Sequence, residues 1–185
     1  MPAPPESLPI DPESATRLAQ EGHGLAWRAA ATVDGRPITL ARLHEATAAD
    51  RSGGFKGEEP WFVDLPFASD ETPEAGWAIF SLAPWRETLN RTFDAGDAAM
   101  LARAGTDPWR RRRSVEIAFD CFAAVAGGER LLERAWDWSG SPSTDGGLLT
   151  LGGFGATGLE VIAYSRAVKH DALGICPTLV LGTRA

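Results

Sequence analysis

The chain is poor in the residues that most often build metal sites and disulfides, because its 185 residues include two cysteines and three histidines. Two cysteines do not make a disulfide framework, and Cys121 and Cys176 lie in apolar runs that are typical of buried thiols in a reducing cytoplasm. His23, His44 and His170 form no H-x-x-x-H motif, and the sequence has no C-x-x-C motif. We therefore predict a cytoplasmic protein that holds no metal ion.

Positive charge is also scarce, since 18 lysines and arginines are set against 25 aspartates and glutamates and leave a net charge of −7. Nucleic acids and anionic membranes select basic surfaces, so we expect neither as a partner. No apolar run approaches the roughly 18 residues of a membrane-spanning helix. Residues 1–6 lack the basic start and the apolar core of a secretory signal.

Tryptophan is abundant by comparison, with seven residues against a single tyrosine in a chain that is 44% hydrophobic. Side chains of this size either fill a core or line a groove. A chain of this length is sufficient for one domain with its own core. We therefore predict a single domain over residues 13–185, preceded by a flexible, proline-rich N-terminal arm over residues 1–12.

Short apolar runs separated by glycine, proline and aspartate predict about eight strands, with hairpins commoner than crossovers. Outside residues 113–138, these strands are expected at 25–33, 37–40, 61–65, 76–82, 148–151, 159–165 and 175–182. Asp34-Gly35 predicts a hairpin turn between the first two of them. Helices are expected over 11–21, 41–50 and 94–105. The pattern predicts an α+β fold, in which a mostly antiparallel, curved or barrel-like β-sheet carries two or three helices on one face or end.

Residues 113–138 fit two structures. Apolar and polar residues alternate on both sides of Gly127-Gly128, which is typical of a β-hairpin. The alternative is a helix that is capped at Asp107 and stops at the same glycines. Its apolar face would consist of Val115, Ala118, Phe119, Phe122 and Val125. Arg110–Arg113 would lie in the first turn of that helix, where positive charge opposes the helix dipole, so we prefer the hairpin.

The string Gly153–Gly158 fits the pattern G-x-G-x-x-G, follows a predicted strand and has Asp171 downstream. In a dinucleotide-binding domain such glycines let the backbone approach a pyrophosphate. Only residues 159–185 follow the string, which is too little chain for a doubly wound sheet, and no strand–helix rhythm precedes it. We therefore predict a turn or bulge between two strands, and no cofactor.

Four consecutive arginines beside Trp109 are unusual in an acidic chain and are suited to bind a phosphate or a carboxylate. The alternative is that they pair with acidic residues of the same chain. In the predicted hairpin Trp136 and Trp138 share a face with Arg134, and such a face can line a ligand cavity, although indoles also fill cores. The predicted ligand-binding residues are Trp109, Arg111, Arg113, Arg134, Trp136 and Trp138.

Motifs for catalysis are missing from the sequence, which has no G-x-S-x-G elbow and no Walker-type phosphate loop. The candidates are therefore scattered polar residues: His44, Asp120, His170 and Asp171. His44 precedes Glu45 on a predicted helix, and His170 and Asp171 fall in a polar loop. A solvated surface position is the alternative for each histidine.

Because no catalytic constellation stands out, we predict a binding domain for a small molecule or a protein partner. It would use a tryptophan-bearing sheet face and the arginine cluster. One alternative is a small cytoplasmic enzyme with scattered His, Asp and Glu groups in a sheet-lined pocket. Another is a structural subunit that docks through its N-terminal arm.

Overall fold

The computed structural model describes Pro4 and residues 8–50, 52–57 and 60–181, over which the chain forms five α-helices and seven strands. The helices are α1 Pro12–Gln20, α2 Leu40–Thr47, α3 Pro66–Asp70, α4 Phe93–Ala104 and α5 Ser114–Ala126. The strands are β1 His23–Arg28, β2 Gly76–Ser81, β3 Trp136–Pro142, β4 Leu148–Gly155, β5 Gly158–Tyr164, β6 Leu173–Gly174 and β7 Thr178–Leu181. A 3-10 turn occupies Arg86–Thr88.

The strands build two sheets, one in the order β1-β2-β7 and the other in the order β5-β4-β3-β6. All pairs are antiparallel except β3 with β6. The predicted α+β class with mostly antiparallel strands is therefore confirmed. The two sheets do not close into a barrel, and there are five helices instead of two or three, because α3 and α5 were not expected.

The preferred hairpin over residues 113–138 is wrong, because Ser114–Ala126 form α5. This helix contacts strands of both sheets, and its first eight residues are all buried. A helix that is enclosed on every side has no polar face, so the 3.6-residue stripe is weak in its sequence. The arginines precede the helix instead of occupying its first turn, and Glu116 accepts a hydrogen bond from the backbone N–H of Arg113 at 2.7 Å. That acidic cap supports the helix start.

Two shorter expectations also need correction. The turn at Asp34-Gly35 is present, with Gly35 at φ 78°, but it joins segments that share a single bridge between Ala31 and Pro37. β1 ends before this turn and α2 begins shortly after it, so residues 30–38 form a turn and not a pair of strands. Residues 61–65 form turns instead of a strand, and the Trp61 indole N–H donates to the carbonyl of Val161 at 2.9 Å.

Other local predictions are confirmed. α1, α2, β2, β5 and β7 lie within or close to their expected ranges. α4 does so too, and its N-cap is Thr92, which accepts a hydrogen bond from Ala95 N–H at 3.4 Å. The glycine string is a hairpin turn, since Gly155 pairs with Gly158 where β4 meets β5. Residues 1–3 and 5–7 of the expected N-terminal arm lie outside the described residues, and the arm stays a prediction.

Two main clusters of apolar side chains hold the elements together. The larger surrounds α5 and includes residues of α2, α3, β4 and β5. The second consists of Trp85, Met100, Trp138, Leu148, Leu173 and Ile175. Within residues 8–50, 52–57 and 60–181, none of the helices combines the length and hydropathy that a membrane crossing needs.

Candidate functional site

The arginine run lies among acidic side chains of its own chain. Arg112 is fully buried and donates from Nε to Asp137 at 3.0 Å and from Nη1 to Asp120 at 2.9 Å. Arg28, on β1, donates from Nε and Nη2 to the same Asp120 carboxylate at 2.9 and 2.6 Å. Asp120, one of the candidates for catalysis, is 1% exposed and lies between two guanidinium groups. The Asp120 carboxylate therefore serves as the partner of two buried arginines.

Neighbouring arginines have partners of the same kind. Arg110 donates to both oxygens of Glu116 at 2.8 and 2.7 Å, and Arg111 donates to Asp97 at 2.9 Å. Burial opposes ionisation of Glu116, but hydrogen bonds from Arg110 and the charges of Arg28 and Arg110 outweigh it, so its pKa falls to about 2. Arg113 is exposed and donates to the carbonyl of Thr72 at 2.9 Å. The four arginines thus diverge and do not surround a common site.

The predicted tryptophans pack around the second apolar cluster. Trp138 is completely buried, at 5.7 Å from the ring of Phe93 and 6.2 Å from that of Tyr164. Trp136 and Trp109 are half-buried against the same cluster. Arg111 joins them, since its guanidinium lies 3.8 Å from the centre of the Phe93 ring. Arg134 is exposed. The structure therefore brings three of the tryptophans and Arg111 together, but they pack in or against an apolar cluster instead of lining a ligand cavity.

Among the candidates for catalysis, the two in the C-terminal loop are exposed. His170 accepts a hydrogen bond from the Ala172 N–H at Nδ1, over 3.1 Å, which closes a local turn. Asp171 follows it on the surface. His44 differs from them because it lines a cavity.

This cavity, called the α2 cavity below, has a volume of about 460 Å³ and lies between α2, the segment of Asp50 and residues 52–57, and the β4–β5 turn. Its described lining residues are His44, Thr47, Ala48, Asp50, Phe55, Gly57, Ala156 and Thr157. The rim is exposed to solvent, whereas Phe55 is 5% exposed and forms an apolar floor. A volume of this size lies within the range of small-molecule sites.

Helical geometry sets the first wall of the cavity. His44, Thr47 and Ala48 are spaced by three and four residues along α2, so they share one face. Leu40, which is completely buried, lies one turn before His44, and Leu43, which packs against the core, lies one turn before Thr47. The helix therefore holds the three cavity residues on a fixed backbone.

The second wall is the segment after α2, which Asp50 organises. Its Oδ1 accepts hydrogen bonds from the N–H of Gly53 at 2.8 Å and from the N–H and hydroxyl of Ser52 at 3.1 and 3.0 Å. The bond from Gly53 and those from Ser52 stabilise the ionised form and lower the pKa of Asp50. The carboxylate at the cavity rim is therefore ionised at neutral pH.

The glycine string holds this segment against β5. Leu159 N–H donates to Gly54 O and Lys56 N–H donates to Leu159 O, each at 2.8 Å. Gly158 makes the approach possible, because a Cβ at this position would lie 2.8 Å from Gly54 O and from Lys56 N. Its φ of 100° is also one that other residues rarely adopt. The string thus has a structural role at the cavity.

Arg130 ties the second wall to the β4–β5 turn. Its Nη1 donates to Ser52 O at 2.9 Å and to Gly155 O at 2.8 Å. The same guanidinium lies 5.1 Å from the centre of the Phe154 ring. These contacts fix the position of Ala156 and Thr157, which follow directly.

His44 lines the cavity and carries an imidazole nitrogen without a partner among the described residues. Nδ1 of His44 is buried and makes no hydrogen bond with the described residues, while the ring meets Phe55 edge-on at 6.3 Å. Thr47 donates its hydroxyl to Leu43 O at 2.8 Å, which leaves its oxygen able to accept. The arrangement offers hydrogen-bonding groups and one carboxylate above an aromatic floor.

Comparison with protein-family models, with curated proteins and with solved structures gives no match for this chain. The geometry of the α2 cavity therefore carries the functional argument. Sequence reasoning identified His44 but missed Asp50, Phe55 and Thr157. The one available signal was Gly158, whose requirement for a close backbone approach indicates that another segment docks on β5.

Proposed function

We propose that this protein is a binding domain for a small organic molecule, which occupies the α2 cavity. The observation that carries the proposal is His44, which lines a cavity of about 460 Å³ and whose buried Nδ1 has no partner in the described chain. Buried polar atoms are normally hydrogen-bonded, so an atom of this kind in a cavity wall fits a ligand group.

The arrangement of the surrounding groups supports the same conclusion. An apolar floor with a few convergent polar groups is the usual composition of a small-molecule site. Phe55 supplies the floor, and His44, Thr47 and Asp50 supply the polar groups. Hydrogen bonds from Arg130 and the close approach at Gly158 hold the walls in place, so little ordering is needed on binding.

This proposal differs in place from the site predicted at the arginines and tryptophans. The charges of Arg110, Arg111 and Arg112 are paired within the chain, and Trp136 and Trp138 pack in or against a core cluster, which leaves the α2 cavity as the better-supported site. We expect the binding to take place in the cytoplasm, since free buried thiols at Cys121 and Cys176 are typical of a reducing compartment.

A fragment screen by ¹H–¹⁵N correlation spectroscopy tests the proposal. A library of cationic, neutral and anionic aromatic fragments is added to the full chain, and the amides that shift are assigned. We expect a subset of fragments to shift amides of α2, of residues 52–57 and of Ala156 and Thr157. No shift at these amides from any fragment class would contradict the proposal.

Two tryptophan substitutions on α2 make the test specific. Ala48→Trp places an indole in the cavity and is expected to abolish the shifts, because Ala48 lines the wall. Ala46→Trp is the matched control, since Ala46 is exposed and is not a lining residue. Fragment binding that survives Ala48→Trp would place the ligand elsewhere.

A further inference from the structure

The described cavity wall carries negative charge and no positive charge. Asp50 is the single charged residue among the described lining residues, which include neither lysine nor arginine. Two described cations that adjoin these walls are engaged: Lys56 pairs with Glu160 at 3.1 Å, and Arg130 donates to the backbone carbonyls of Ser52 and Gly155. An anionic ligand would therefore meet a carboxylate without a compensating positive group from the described lining residues.

One oxygen of the Asp50 carboxylate accepts no hydrogen bond from the described residues. Its three hydrogen bonds from Ser52 and Gly53 all end on Oδ1. Oδ2 accepts none from the described residues, although the same bonds hold the carboxylate in one orientation. A carboxylate held in one orientation at the mouth of a cavity, with one oxygen to which no described residue donates, is a partner for an ammonium or amidinium group.

The rest of the wall suits the body of such a ligand. The ring of Phe55 provides an apolar floor on which a flat group can pack. The Thr47 oxygen can accept an N–H, since its own hydroxyl donates to Leu43 O. The net charge of −7 adds a long-range field that attracts cations to the whole chain.

We infer that the ligand of the α2 cavity is a small organic cation, an amine or amidine on an aromatic or apolar body, whose charged nitrogen binds Oδ2 of Asp50. This inference rests on the proposed function and specifies its ligand class. The apolar body lies over Phe55, and the buried Nδ1 of His44 hydrogen-bonds a polar group of the ligand that enters further. Anions of the same shape are disfavoured by the negative charge of this carboxylate.

Three probes of one shape test the ligand class: benzylamine, benzyl alcohol and benzoate, each titrated into the full chain and followed at the cavity amides. We expect benzylamine to bind about tenfold or more tightly than benzyl alcohol, because one charge-assisted contact at a partly exposed site contributes about 1.4 kcal/mol. Benzoate is expected to bind most weakly. Added salt should weaken the binding of benzylamine and leave that of benzyl alcohol unchanged.

Two charge-neutralising variants locate the effect. Asp50→Asn keeps an acceptor for Ser52 and Gly53 but removes the charge, and it should abolish the preference for benzylamine over benzyl alcohol. Glu45→Gln is the matched control, because Glu45 is exposed on α2 and is not a lining residue. It removes the same charge from the chain and should leave the preference in place.

The outcomes separate the ligand class from the proposed function. If benzyl alcohol or benzoate binds at the cavity as tightly as benzylamine, or if Asp50→Asn keeps the preference, the cation inference is wrong while the proposed function stands. If none of the three probes, and no member of the fragment library, shifts a cavity amide of the folded chain, the proposed function is refuted together with the inference.

Discussion

Arg28 and Asp120 form a two-point ion pair in the interior, with Nε and Nη2 of the arginine at 2.9 and 2.6 Å from the two carboxylate oxygens. Both residues are at most 1% exposed. The pair joins β1 of one sheet to α5, and Arg112 extends it to Asp137 on β3 of the other sheet. A chain of charges therefore runs between the two sheets through their shared helix.

Replacement of Asp120 by alanine tests the energetic weight of this chain of charges. The substitution leaves Arg28 and Arg112 buried without their shared carboxylate, and we expect a loss of about 3 to 5 kcal/mol in the free energy of unfolding. Urea denaturation measures this loss. Asp171→Ala removes an exposed aspartate and should change stability by no more than about 0.5 kcal/mol. If the two variants lost the same free energy of unfolding, the buried ion pair would contribute no more to stability than an exposed aspartate.

The pH dependence of stability reports on Glu116, whose pKa lies near 2 in the folded chain against an ordinary value of 4.5 for an unperturbed glutamate. A lowered folded-state pKa stabilises the fold above pH 4.5, and this contribution disappears as the pH falls from there towards 2. The difference in unfolding free energy between the wild type and Glu116→Gln should therefore be largest near neutral pH and shrink below pH 4.5. A difference that stays constant across that interval would mean that Glu116 is not the titrating group.

Gly158→Ala tests the close approach that forms the second cavity wall. The new Cβ would meet the backbone of residues 54–56 at 2.8 Å at a φ of 100°. We expect a loss of about 3 kcal/mol in unfolding free energy, together with altered amide shifts at the cavity. Gly146→Ala is the control, because Gly146 also has a positive φ, of 83°, but has open space around it. It should lose only about 1 to 2 kcal/mol and leave the cavity shifts unchanged. If both variants lost the same unfolding free energy, a steric requirement at Gly158 would be contradicted.

The two thiols should be unreactive in the folded chain. Burial raises the pKa of Cys121 to about 12 and that of Cys176 well above its usual value, so almost no thiolate is present at neutral pH. We expect Ellman's reagent to modify both cysteines only after denaturation. Ala46→Cys adds an exposed thiol on α2 and should react within the mixing time of the assay. Rapid modification of the native wild type would indicate that one of the buried cysteines is accessible.

Local structure was predictable wherever neighbouring residues decide it. The strand at Gly76–Ser81 and the hairpin turn at Gly155–Gly158 follow from short apolar runs and from glycines that other residues cannot replace. The helix at Phe93–Ala104 follows from helix formers that end at Gly105. These signals depend on short-range sterics and capping, so they survive without knowledge of the fold.

The tertiary structure decided the conformation of residues 114–126 and the use of the arginines. α5 is enclosed by both sheets and by α2, and burial on all sides removed the polar face by which a helix is recognised. Arg112 and Asp120 are close in sequence, but Arg28 is 92 residues away from Asp120. That this aspartate neutralises two buried arginines depends on packing that no local pattern contains.

The candidate site also has some features that local sequence determines and others that tertiary packing determines. The sequence by itself determined that His44 lies on a helix with Thr47 and Ala48 on its face, because helical spacing places them there. It also determined that the glycines of residues 153–158 form a turn. Only the tertiary structure brought Phe55 and Asp50 against that face, through backbone hydrogen bonds that Leu159 donates to Gly54 and accepts from Lys56. The physical reason is distance along the chain: contacts between segments about a hundred residues apart are set by the packing of the whole core.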